Sequence, residues 1–79
     1  MPYITREERE RLEDGFPIAT AGQLNFKITK LIHSFLEGKG LSYQTINDIV
    51  GALDGAKAEF QRRIVIPYED KKIEENGDV

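Results

Sequence analysis

Residues 41–67 read LSYQTINDIVGALDGAKAEFQRRIVIP, from Leu41 to Pro67. Apolar residues fall at Ile46, Ile49, Val50, Leu53, Ala56, Phe60 and Ile64. Steps of three and four dominate, which is the period of an amphipathic helix and a poor match to strand alternation. Ser42 is placed to accept from a backbone N–H two or three residues on, as an N-cap does. Pro67 lacks an N–H and biases Ile66 away from helical backbone, so the spacing predicts a helix over 43–66. Two glycines, Gly51 and Gly55, lie inside it. Each costs ~1 kcal/mol relative to alanine in a helix interior. Four residues apart, they share a face. They are either tolerated glycines or the seat of a close helix–helix contact, within the chain or with a second copy.

Upstream, Thr20 and Gln23 form a T-x-x-Q capping box that opens a helix over 21–38. Leu24, Ile28, Leu31, Ile32, Phe35 and Leu36 make its apolar stripe, with Lys27 and Lys30 off it. Gly38 and Gly40 are candidate C-caps, and Lys39 suits the negative helix end. The short loop to Ser42 predicts an antiparallel helical hairpin of 21–38 and 43–66. Further upstream, Thr5 and Glu8 form a T-x-x-E box that opens a short helix over 6–13, with Glu7 and Arg11 as an i,i+4 pair. Tyr3, Ile4 and Leu12 are its anchors, and Gly15 is placed to end it. Phe16 and Ile18 flank Pro17 in a connector expected to fold onto the body.

Downstream of Pro67 the chain is charged, with Tyr68 and Ile73 as its two apolar anchors. Its composition predicts a flexible tail over 74–79, with a turn at Asn76-Gly77.

The 79 residues suit one domain, 1–79. So short a chain buries only ~60–65% of the surface that unfolding exposes, and association with a second copy is a common remedy. With no cysteine, no disulfide reinforces the fold, and the expected compartment is the cytoplasm. No apolar run approaches membrane-spanning length. A net charge of −3 argues against a dedicated binder of nucleic acid or anionic membranes.

Signs of catalysis are lacking. His33 is the only histidine and stands off the Leu24–Phe35 stripe, so neither a metal set nor a supported Ser–His–acid triad can be drawn with Ser34 or Ser42. Carboxylates at Glu7-Glu8, Glu69-Asp70 and Glu74-Glu75 sit in hydrophilic runs, where burial cannot tune them. No phosphate-binding glycine loop is present. The chain is therefore expected to be no enzyme and to need no cofactor. A rival reading takes 41–63 as a helix-turn-helix, since Leu41 to Gly51 resembles the first helix and turn of region 4 of sigma factors. Gly51 would be the turn, and Lys57, Arg62 and Arg63 would face DNA. Against it, 41–66 carries three basic and three acidic groups, and the apolar period crosses Gly51 without a break.

Several segments together carry a family likeness: Met1-Pro2-Tyr3-Ile4, Gln23-Leu24-Asn25-Phe26, Ala56-Lys57-Ala58-Glu59-Phe60, Arg62-Arg63, and the tail P-Y-E-D-K-K-I-E-E-N-G-D-V from Pro67 to Val79. They resemble a family of small bacterial and phage helical proteins of unknown function that share this tail. The chain departs from the pattern before Gln23, where it has only Glu13 to Ala19 in place of a longer apolar segment. The resemblance implies a specific contact for Tyr68, Glu69 and Asp70. The expectation is then a small all-α bundle, possessed of a charged C-terminal tail and forming a homodimer through the Gly51/Gly55 face or the Leu24–Leu36 surface. It would act as an interaction or structural protein, phage- or prophage-encoded, with an unidentified protein partner as a further option. Candidate contact residues are Gly51, Gly55, Arg62, Arg63, Tyr68, Glu69 and Asp70.

Overall fold

A computed structural model describes residues 4–78, in which every regular element is helical, as expected. Tyr3 of the expected anchors and Val79 of the tail lie outside the described residues. The chain divides into two units, 1–41 and 42–79.

In the first unit, α1 spans Arg6–Glu13 and α2 spans Ala21–Lys39. Both start where the capping residues predict. Thr5 accepts the Glu8 N–H at 3.1 Å, and the Glu8 carboxylate reaches back to the Thr5 N–H at 3.4 Å, closing the capping box. Thr20 accepts the Gln23 N–H at 3.1 Å, but Gln23 reaches one residue further back and takes the Ala19 N–H at 2.7 Å. α1 ends in a Schellman turn. Gly15, at φ 93°, donates to Leu12 O, and Phe16 donates to Arg11 O. Of the two candidate caps of α2, the chain uses Gly40.

The core of this unit is Ile4, Leu12 and Phe26. The α2 face turned to α1 follows Gln23, Phe26, Lys27 and Lys30, whereas Leu24, Ile28, Leu31 and Phe35 of the apolar stripe stay in water, with Leu31 73% exposed. α1 offers one buried leucine and a row of charges, so it selects the α2 face that has a single aromatic ring flanked by cations. Lys27 donates to Leu12 O at 3.2 Å, Lys30 pairs with Glu13 at 3.4 Å, and the Lys30 ammonium stands 6.0 Å from the Phe26 ring centre. Phe16 and Ile18 also remain largely exposed instead of folding onto the body.

The second unit is a helical rod. α3 spans Tyr43–Phe60, a π turn spans Gln61–Val65, and α4 spans Ile66–Asn76. Ser42 caps the start by accepting the Thr45 N–H at 3.1 Å. Pro67 does not stop the helix, contrary to expectation. The residues at both junctions keep right-handed helical backbone, so the rod runs from Tyr43 to Asn76, roughly 50 Å at ~1.5 Å per residue. The π turn explains how. In an α-helix the Pro67 ring would strike the carbonyl four residues back. Where the turn is wider, Ile66 N–H bonds to Gln61 O, five residues back, and Pro67 falls in the first turn of α4, where no N–H is required. Gly77, at φ 83°, ends the rod by donating to Ile73 O, so residues 74–76 belong to α4.

Candidate interaction surfaces

In the first unit a side-chain bond ties the two helices where their capping residues meet. Gln23 Nε2 donates to Glu8 Oε2 at 3.0 Å, joining the start of α2 to the start of α1. That bond, followed by the one from the Thr5 backbone, holds the Glu8 carboxyl below the ordinary carboxylate range. The folded state therefore prefers ionised Glu8. Its contribution is present above about pH 4.5, the ordinary value, and is lost as pH falls through the lower folded value. Glu8→Gln keeps a capping residue without the charge. In thermal melts at pH 7 and pH 3, the wild type is expected to lose more stability on acidification than Glu8→Gln. Equal losses would show that the Glu8 clasp carries none of the acid sensitivity.

In the rod, the sequence-predicted residues fall into separate groups. Gly51 and Gly55 lie within continuous helix, so the turn that a helix-turn-helix needs at Gly51 is not formed. A Cβ added at either glycine would meet nothing within 4 Å. At ~100° per residue, Gly51 lies roughly 140° around the helix from Ile46 and 160° from Leu53. The glycines thus face away from the apolar stripe. Arg62 and Arg63 both turn back to Glu59, Arg63 at 2.6 Å, and form a local fork on an exposed surface. Such pairs contribute at most ~1 kcal/mol. Tyr68 packs under the Lys72 ammonium, 5.5 Å from the ring centre, while Lys72 also reaches Glu75 at 3.4 Å. Glu69 and Asp70 are exposed on α4.

Sequence reasoning passed over the phase of the rod. Ile46, Leu53 and Phe60 recur every seven residues, with Ile49 and Ala56 between them, in an a/d coiled-coil pattern. Gly51 and Gly55 then take the outer positions. Beyond Phe60 the spacing becomes four and four, through Ile64 to Tyr68. On an ideal helix each such step would drift by about 40°. The wider π turn takes up the drift and returns Ile64 and Tyr68 to the stripe.

Among the described residues no three of His, Cys, Asp and Glu come together as metal ligands, and no helix is long and apolar enough to cross a membrane. The class defined by these features is an all-α protein whose salient surfaces are apolar helix faces in water. The chain belongs to the family described as Domain of unknown function (DUF6899), whose model matches residues 1–79. Neither the curated proteins nor the solved structures gave a match.

Proposed function

We propose that this protein is a non-enzymatic interaction protein of the cytoplasm that works through self-association. One observation carries the reading: both units leave large apolar side chains in water at helical spacing, Leu24, Ile28, Leu31 and Phe35 on α2 and Ile46, Leu53 and Phe60 on α3. Contiguous apolar surface of this kind marks sites of association. Most helical stability in water comes from packing an apolar face, and a second copy supplies such a face without any other component. The absence of cysteine supports the compartment.

Solution mass by light scattering, over a range of protein concentrations, tests it. The expected result is a species of twice the 9.0 kDa chain mass that persists on dilution. A mass of 9.0 kDa at every concentration would refute self-association.

A further inference from the structure

Building on that reading, we infer that the second copy seats on the rod along the seam from Ile46 through Leu53 and Phe60 to Tyr68, and that the Gly51/Gly55 face points outward from the pair. Three observations carry this.

The first is period. Ile46, Ile49, Leu53, Ala56 and Phe60 fill successive a and d positions, and the π turn keeps Ile64 and Tyr68 in line. A seam of this kind is self-complementary, which a two-fold pair requires.

The second is area. Ile46 is 42%, Leu53 41% and Phe60 59% exposed, and Val50, Ile64 and Tyr68 are each more than half exposed. At roughly 100 Å² apiece these six offer about 600 Å² per copy, or ~1,200 Å² for a pair, the lower end of stable interfaces.

The third is charge. A second copy brings identical charges, so a self-interface must keep them off its centre. Between Tyr43 and Ala56 the only charged residues are Asp48 and Asp54. Both lie more than about 90° from the middle of the seam. Lys57, about 40° round the helix from Leu53 and beside Val50, has a stem long enough to carry its ammonium to the rim, and Glu59, about 120° from Leu53, stands outside the seam, where charge is tolerated. The glycine face has no comparable apolar area, since its neighbours are Ala58, Gln44 and Asp48.

Two alanine positions separate the faces. Ala56 is on the seam and Ala58 beside the glycines, and both are exposed. Arginine is a good helix former, so Ala56→Arg and Ala58→Arg should keep the rod helical, which circular dichroism verifies. Light scattering is then expected to give twice 9.0 kDa for the wild type and for Ala58→Arg, and a fall to 9.0 kDa for Ala56→Arg. A wild-type dimer that Ala56→Arg leaves intact would overturn the seam while self-association stood. A dimer broken by Ala58→Arg and spared by Ala56→Arg would move the interface to the glycine face and overturn the seam as well. A wild type already at 9.0 kDa would remove both the seam and the broader reading.

Discussion

Phe26→Ala is expected to unfold the first unit. The residue is 5% exposed and is one of three core residues among those described. Truncating a buried phenylalanine costs ~3–5 kcal/mol. Ile4 and Leu12 alone cannot refill the space, and the Lys27 and Lys30 contacts depend on the face that Phe26 anchors. Exposed ion pairs and a lysine-to-carbonyl bond add little without the buried ring beneath them. Circular dichroism should show loss of helical signal, and denaturant melts a midpoint shift far beyond that of Leu31→Ala. Leu31 is 73% exposed, and a substitution there is expected to stay within about 0.5 kcal/mol in the monomer. Equal effects at the two positions would mean that α2 packs through its Leu24–Phe35 stripe after all.

The opposite sign is expected for Gly51→Ala with Gly55→Ala. Each replacement removes the entropic penalty of a glycine in helix, ~1 kcal/mol, so the double variant should gain ~2 kcal/mol in the rod. No atom opposes it, because the added Cβ atoms would meet nothing within 4 Å. Thermal melting followed at the helical band measures the gain. Light scattering alongside it distinguishes the two roles open to the glycines. A rise in stability with unchanged mass places them on a free face. A loss of association would show that a second backbone lies against them.

The fold was legible where local chemistry decides it. Thr5, Thr20 and Ser42 each announce a helix start through a side-chain oxygen three residues before an N–H, and each caps as its position implies. Gly15 and Gly40 end helices for an equally local reason, their positive φ. What was not legible depended on a partner. α2 has two faces that could be buried, and apolar periodicity favours Leu24–Phe35. The choice of the Phe26 face is made by α1, too short and too charged to cover more than one ring. Pro67 was misread for a related reason. The rule that proline stops a helix assumes an α-helix before it, and no residue type signals that Gln61–Val65 will widen into a π turn. The spacing of Phe60, Ile64 and Tyr68 held a trace of it, since steps of four keep one face only if the turn is wider than 3.6 residues. For the interaction surface, the seam positions were visible as a period and the glycines as a pair. That they stand on opposite sides follows from angular phase and is not apparent along a line of text.

The π turn has a consequence for insertions and deletions. A single π turn is an α-helix holding one residue more than its phase needs. Removing one residue from 61–65 would leave α3 and α4 with the same angular relation they have now, so the seam would survive a change in length. The cost would fall on Pro67, whose ring would then meet an ordinary α turn, a penalty of ~3 kcal/mol. Removing the bulge without shortening the chain would bring the same penalty, since Pro67 would again meet an ordinary α turn. It would also swing Tyr68 and everything after it by about 100°. In this rod, residue count is the forgiving variable and helical phase the strict one.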